Sequence, residues 1–425
     1  MNHIVNPSRI GGAVSIPGSK SHTIRALALG LLADGESVIR KPLESSDTLS
    51  CLAMVERFGA RVTREGGIWR LRGTGPIPAL PDDVIDTGNS GTTLYIGLGI
   101  ASLLGGATVF TGDGQIRSRP ADGLLGAIND LGGRAFSTRG NGKPPLVIEG
   151  PVRGGETSIE AVTSQYLTSL LIALPLAGAD SVINVPLLNE APYVTMTLRW
   201  LERLGARVEA DDRYRRFRVP GRQSYRPFDE EIAADFSSAT FFLVAAAVTG
   251  CELELRGLDF TDPQGDKEVV NILKAMGAEV AIGERSIRIR GGKLTGGVFD
   301  LNAIPDALPA LSVAACFAEG ETRLVNVPQA RLKETDRIAV MCRELSKMGA
   351  RVEELPDGLI VKRSALKGTA VDGHGDHRVV MALSVAGLAA EGTTTVGTAE
   401  SVSVTFPGFT GLMRSAGADI LATKE

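Results

Sequence analysis

One short phrase occurs six times along this chain at nearly even spacing, and that period constrains the architecture before any propensity argument does. The copies read RFGARV (57–62), DLGGRA (130–135), RLGARV (203–208), AMGAEV (275–280), KMGARV (347–352) and SAGADI (415–420). Their central glycines are Gly59, Gly132, Gly205, Gly277, Gly349 and Gly417, separated by 68 to 73 residues. A second mark has the same period: an apolar, small-residue run ends at a glycine (Gly35, Gly106, Gly178, Gly250, Gly320, Gly392) and a strand pattern follows. Six such units fill the 425-residue chain. That length exceeds one core and suits two, so the simplest division is three units plus three.

Each unit reads as β-α-β-α-β-β, an α/β pattern. In the fourth, a first helix starts near Ala234–Ser238 and runs through FFLVAAAV to Gly250. The alternating strand CELELRGL follows, then a second helix, KEVVNILKAM, stopping at Gly277 as a helix does at a glycine. AEVAIGERSIRIR is a hairpin turning at Gly283-Glu284. The opening element is taken to be the strand before the first helix. The first helix is apolar all round and should be buried; the second is amphipathic and should cover the outside. The chain is expected to open on a strand, AVSIPG, that belongs with the C-terminal half. One domain is then discontinuous, residues 1–18 plus 232–425, with 19–231 inserted and the active site expected in the cleft between the two. A short hinge is expected near 228–234. The longest apolar stretch, Leu94 to Phe110, is short for a bilayer span and broken by glycines, so it reads as a core helix.

Composition excludes several classes. Hydrophobic residues at 43% and charged residues at 22% are those of a globular protein. The net charge of −4 offers no global basic field for nucleic acid, so any anion site must be local. Cys51, Cys251, Cys316 and Cys342 are dispersed without a Cys-x-x-Cys, which fits free thiols in a reducing, cytoplasmic setting. The start MNHIVNPSRIGG lacks a basic region followed by an apolar run, so no signal peptide is expected, and no membrane partner.

Chemistry collects where the units differ, at the starts of the buried helices. These read Ser19-Lys20-Ser21-His22, Thr87-Gly88-Asn89-Ser90-Gly91-Thr92, Thr163-Ser164-Gln165, Asp235-Phe236-Ser237-Ser238, Pro305-Asp306 and Gly373-His374-Gly375-Asp376-His377-Arg378. In a threefold bundle such starts point the same way, each with free N–H groups and a partial positive end. Capping accounts for the Ser, Thr, Asn and Asp residues. It does not account for Lys20, Arg25, His377 or Arg378, because a cation there opposes the helix dipole unless an anion binds. Two second helices open on charge as well: Gln115-Ile116-Arg117-Ser118-Arg119-Pro120 and Arg331-Leu332-Lys333-Glu334-Thr335-Asp336-Arg337. In the latter, Thr335 reads as the cap, with Lys333 and Glu334 on a loop and Arg337 in the first turn. Pro17-Gly18-Ser19-Lys20-Ser21 lacks the glycine spacing of a P-loop. His374 and His377 lack a third ligand at zinc spacing.

The segments PGSKSHTIRALALGLL (17–32), DTGNSGTTL (86–94), RLKETDRI (331–338) and GDHRVVMALSVAG (375–387) resemble the 5-enolpyruvylshikimate-3-phosphate synthase family. TSQYLTSLLIALPLAG (163–178) and DFSSATFFLVAAA (235–247) extend the resemblance over the full length, in order. It implies a two-domain inside-out α/β barrel with three β-α-β-α-β-β repeats per domain. It also implies transfer of the carboxyvinyl group of phosphoenolpyruvate to the 5-hydroxyl of shikimate 3-phosphate by a monomer, with no metal or organic cofactor. By that match, Lys20, Ser21, Arg25, Thr163, Ser164, Gln165, Tyr193, Asp306 and Lys333 hold shikimate 3-phosphate. Lys20, Asn89, Gly91, Arg119, Gln165, Arg337 and Arg378 hold phosphoenolpyruvate. Asp306 is the base for the 5-hydroxyl, and Glu334 with Lys20 handles the proton at the methylene carbon. Several cations must converge, because both substrates carry a phosphate and a carboxylate.

Three positions depart from the family pattern: Tyr95 and Gln115 stand where many members have Arg, and Val404 where some have Lys. They leave room for a relative with another small anionic acceptor. An enolpyruvyl transferase for UDP-N-acetylglucosamine would carry a cysteine in the loop 112–120, which here reads GDGQIRSRP. A non-catalytic anion-binding protein of the same fold would have no use for Asp306 and Glu334 together.

Overall fold

The computed structural model describes residues 1–424. The chain divides into two compact units, Met1–Ser19 with Ala233–Glu425, and Lys20–Ile232. Among the described residues, 24 strands form six four-stranded sheets, and all six share one order. The second repeat shows it. Ile85–Asp86 runs parallel to Ala107–Thr111, which pairs antiparallel with Leu146–Glu149, which pairs antiparallel with Arg134–Ser137. The helix Gly91–Ala101 is the crossover between the two parallel strands, and the amphipathic helix Asp122–Asp130 leads into the hairpin.

Burial follows the sequence pattern. In the unit Lys20–Ile232 the crossover helices are Lys20–Leu32, Gly91–Ala101 and Ser164–Ala173; in the other they are Phe236–Thr249, Leu308–Cys316 and His377–Ala389. Phe236, Phe241 and Phe242 on the fourth are fully buried, each worth about 2 kcal/mol of apolar transfer. Each unit has its own apolar core. The six repeated glycines now have a physical cause: all take φ between 85° and 107°, the left-handed region that ends a helix and that side chains resist.

Three expectations need correction. The apolar stretch 94–110 is not one helix. The helix stops at Ala101, a bend carries Gly105 and Gly106, and Ala107–Thr111 is a strand. Thr108 and Val109 are β-branched and favour the sheet, so the Gly106 mark locates the boundary and bulk hydropathy does not. Second, the strand before the fourth crossover helix, Asp229–Glu231, is not that unit's opening strand. It pairs parallel with Glu36–Arg40 in the first sheet, while Gly12–Ser15 opens the fourth by pairing parallel with Glu252–Arg256. Third, a strand preceding AVSIPG, Asn2–Val5, takes the inner hairpin position of the last sheet, between Thr394–Gly397 and Ile420–Thr423. The N-terminus thus completes the repeat that the C-terminus begins. Other readings agree with the structure: the fourth helix ends on Gly250 in the left-handed region, and the hairpin Glu279–Ile282 to Ser286–Arg290 brackets Gly283-Glu284.

The crossover helices of the unit Lys20–Ile232 touch at close range through small residues. A Cβ at Gly99 would lie 2.5 Å from Ser169 Oγ and 2.6 Å from the Ser169 carbonyl oxygen. Gly99→Ala therefore forces two helix backbones apart and should lower stability by about 1–3 kcal/mol in urea unfolding. An unchanged midpoint would contradict this packing.

Candidate active site

In the unit Lys20–Ile232, Lys20 occupies the first position of its helix, and its Nζ lies 3.1 Å from Asp47 Oδ2. Asp47 belongs to the first turn of the neighbouring helix Ser46–Arg57. The cation at a helix start is thus offset by a protein carboxylate. Arg25, one turn on, is buried. Its Nε donates to Thr197 Oγ1 at 2.9 Å, Nη1 to the Ser21 carbonyl at 3.1 Å, and Nη2 to Thr168 Oγ1 at 3.3 Å and the Tyr193 carbonyl at 3.1 Å. These partners are neutral, and burial lowers the guanidinium pKa to about 10. A buried cation held by neutral oxygens favours an anion nearby.

Asn89, Gly91, Arg119 and Gln165 gather at two other helix starts of the same unit. The Asn89 side-chain amide donates to Asp113 Oδ2 at 2.6 Å and to Gln115 Oε1 at 2.7 Å. A Cβ placed on Gly91 would stand 3.6 Å from Arg119 Nη1 and 3.8 Å from Gln165 Oε1, so these residues line one small space. Tyr95 and Tyr166 both donate their hydroxyls to the Pro120 carbonyl at 2.7 Å, with rings edge-on 5.0 Å apart. Tyr95 brings no charge here; its hydroxyl fixes the residue next to Arg119. Burial pushes the Tyr95 hydroxyl up to about 12, so it stays a donor. Gln115 and Arg119 both precede the helix Asp122–Asp130, on and beside the 3₁₀ turn Ile116–Ser118, and do not open it.

The helix Ser164–Ala173 is capped by Thr163, and its start already holds an anion. Glu190 Oε2 accepts from Thr163 Oγ1 at 3.1 Å, Ser164 N at 3.1 Å and Ser164 Oγ at 2.8 Å. Glu190 is 2% exposed and sits in the left-handed region at φ 58° just before the helix Ala191–Arg203. Sequence reasoning gave it no role, although it lies three residues from Tyr193.

In the other unit one guanidinium organises the charges. Arg337, 1% exposed, is the first residue of the helix Arg337–Lys347. Its Nε donates to Asp376 Oδ2 at 2.7 Å and Nη2 to Asp376 Oδ1 at 3.2 Å. Nη1 donates to Asp306 Oδ1 at 2.7 Å, and Nη2 also reaches Glu334 Oε2. Burial alone would lower its pKa; the coulombic pull of Asp376, Glu334 and Asp306 outweighs that and raises it. Asp306, in the 3₁₀ turn Pro305–Ala307, also meets Arg378 Nη2 at 3.0 Å. Arg378 Nη1 donates to Ser237 Oγ at 2.6 Å. Lys333 ends the turn Pro328–Leu332 and is partly exposed, as is Val404 at the end of another 3₁₀ segment.

The expected cap of the helix Arg337–Lys347 is corrected. Asp336 caps it, accepting from Ala339 N at 3.0 Å, while Thr335 Oγ1 donates to Asp376 at 3.2 Å. Asp376 outcompetes the local backbone for Thr335 because it already lies beside the helix as the partner of Arg337. Asp376 and Ser237 were visible at helix starts in the sequence, but only as caps, and Asp47 was given no role. Asp376 does cap its own helix, accepting from Arg378 N at 2.8 Å, and holds Arg337 as well.

Comparison with known proteins gives matches over nearly the whole chain. A family model described as EPSP synthase (3-phosphoshikimate 1-carboxyvinyltransferase) matches residues 4–413. The chain is 55% identical over 416 residues to the 3-phosphoshikimate 1-carboxyvinyltransferase of Acetivibrio thermocellus, covering 98% of each chain. It is 53% identical to the protein of the same name from Ruminiclostridium cellulolyticum, with the same coverage. Its fold superposes on a solved EPSP synthase from Acinetobacter baumannii with a TM-score of 0.84 and 28% identity, over 100% of both chains. No helix among the described residues is long and apolar enough to cross a membrane.

His377, beside this cluster, makes a distinct prediction. It is buried, neither ring nitrogen has a hydrogen-bond partner, and burial lowers its pKa from 6.5 to about 3. Below pH 6.5 the unfolded chain takes up a proton that the folded chain refuses. The stability this histidine contributes is full above pH 6.5 and falls by up to about 1.4 kcal/mol per pH unit below it. Denaturation between pH 7.5 and 5 should show that decline, and His377→Asn should remove that share of it. An identical pH slope in the variant would contradict the assignment.

Proposed function

The chain belongs to the EPSP synthase family, and on that footing we propose that it transfers the carboxyvinyl group of phosphoenolpyruvate to the 5-hydroxyl of shikimate 3-phosphate, releasing phosphate. The observation that carries the chemistry is Arg337, which holds Asp306 and Glu334 on its two terminal nitrogens. Addition–elimination needs a base at the attacking hydroxyl and an acid at the methylene carbon. Two carboxylates pinned to one guanidinium have fixed, different positions for those tasks.

Asp306 takes the proton of the 5-hydroxyl as its oxygen bonds to C2 of phosphoenolpyruvate. Glu334, with Lys20, delivers a proton to C3, giving a tetrahedral intermediate. Removal of a proton from C3 then expels phosphate and restores the double bond. Lys20, Ser21, Arg25, Thr163, Ser164, Gln165, Tyr193 and Lys333 hold the acceptor. Asn89, Gly91, Arg119, Gln165, Arg337 and Arg378 hold phosphoenolpyruvate. The cations Lys20, Arg25, Arg119, Lys333, Arg337 and Arg378 fit two substrates with four anionic groups between them. The four cysteines are free thiols, which fits a cytoplasmic enzyme, and we take the monomer as the working form.

Phosphate release from phosphoenolpyruvate should depend on shikimate 3-phosphate and not on other alcohols; no release with it would remove the proposal. Asp306→Ala should lower kcat by about 10²–10⁴-fold. The KM for phosphoenolpyruvate should stay level or fall, because Arg337 and Arg378 each lose an internal carboxylate partner. A change confined to KM would take Asp306 out of the catalytic role.

A further inference from the structure

Thr163 and Ser164, placed above among the residues that hold the acceptor, are already engaged. Thr163 Oγ1, Ser164 N and Ser164 Oγ all donate to a single oxygen, Glu190 Oε2, at 2.8–3.1 Å. A hydroxyl pair and a backbone N–H at a helix start suit a phosphate oxygen, and here a side-chain carboxylate takes that place. We infer that Glu190 is a resident anion of the acceptor-phosphate subsite, which the phosphate must displace from Thr163 and Ser164 in order to bind. The inference rests on the function proposed above.

Two anions cannot share these donors. A phosphate within reach of Ser164 would stand against the Glu190 carboxylate in a buried setting, where like charges repel strongly. The remaining geometry allows exchange. Glu190 reaches the donors with its side chain, from a backbone position outside the helix Ser164–Ala173. Release of these donors would require the Glu190 side chain to turn away from the start of that helix. One turn along the same helix, Thr168 Oγ1 accepts from Arg25, whose four hydrogen bonds go to neutral oxygens. The incoming phosphate would meet that cation. Glu190 therefore weakens the phosphate's contribution to acceptor affinity and makes the enzyme less dependent on the 3-phosphate than its donor set alone would.

The test is calorimetric binding of shikimate 3-phosphate and of unphosphorylated shikimate to the full-length protein, without phosphoenolpyruvate, in wild type and Glu190→Gln. Glutamine keeps the length and an accepting oxygen but loses the charge. In E190Q, shikimate 3-phosphate should bind about tenfold tighter, with shikimate changed by less than about twofold. A gain below about threefold, a loss, or an equal gain for shikimate overturns the inference. The wild type alone gives a second reading that stands if the variant fails to fold. It should prefer the phosphorylated acceptor by no more than about a hundredfold, well short of an unobstructed charge-assisted site; a preference above that, or no binding of shikimate 3-phosphate at all, also overturns it. Turnover is read separately. Missing turnover with these binding shifts intact would refute the proposed reaction and leave the role of Glu190 standing.

Discussion

A buried guanidinium is costly to desolvate unless carboxylates surround it, and Arg337 has three. The rest of the site depends on that arrangement. Desolvation of one charge is costly, so Asp306, Glu334 and Asp376 are drawn to one point from three separate segments of the chain. Asp376 caps the helix His377–Ala389 as well, which fixes the cluster to the scaffold. Asp306 then bridges to Arg378. The same logic governs the other unit at smaller scale. Lys20 is offset by Asp47, and the donors at Thr163 and Ser164 by Glu190. Where a substrate anion is expected, the protein supplies an anion of its own.

The scaffold explains why these groups can sit at helix starts at all. Each crossover helix is buried along its length, so only its first turn is available for polar work. The six-fold sheet order repeats without exception, which leaves the helix starts as the places where one repeat can differ from the next. The two exchanged strands, Gly12–Ser15 and Asp229–Glu231, lie directly beside the points where the chain passes from one unit to the other. Asp229–Glu231 closes the first sheet of the continuous unit Lys20–Ile232 with that unit's own last strand, whereas Gly12–Ser15 joins its sheet from the far side of the insertion, so that the other unit is discontinuous in the sequence.

Much of this was legible in the sequence, because it is periodic. The glycine phrase located the repeats, and the all-apolar pattern of FFLVAAAV marked the buried helices. Strand exchange was legible only in part: AVSIPG was assigned to the C-terminal half, but nothing local says which sheet Asp229–Glu231 joins. Partnership among charges was legible only in part. Lys20, Asp306, Glu334, Arg337 and Arg378 stood out as residues that capping could not explain or as matches to a family. Asp376 and Glu190 did not. An acid at a helix start looks like an ordinary cap, and only three-dimensional distance shows that Asp376 also holds Arg337, or that Glu190 serves a helix other than its own. Tyr95 looked like a lost charge; its hydroxyl on the Pro120 carbonyl shows a positioning contact instead.

The central claim is that the residues gathered around Arg337 and at the helix starts perform carboxyvinyl transfer. Phosphorus NMR of the purified protein with equal amounts of phosphoenolpyruvate and shikimate 3-phosphate tests it most directly. The account predicts loss of the phosphoenolpyruvate resonance, an equal rise of inorganic phosphate, and a shifted but undiminished phosphate-ester resonance from the acceptor. Loss of the acceptor's own phosphate, or phosphate release at the same rate without acceptor, would contradict it.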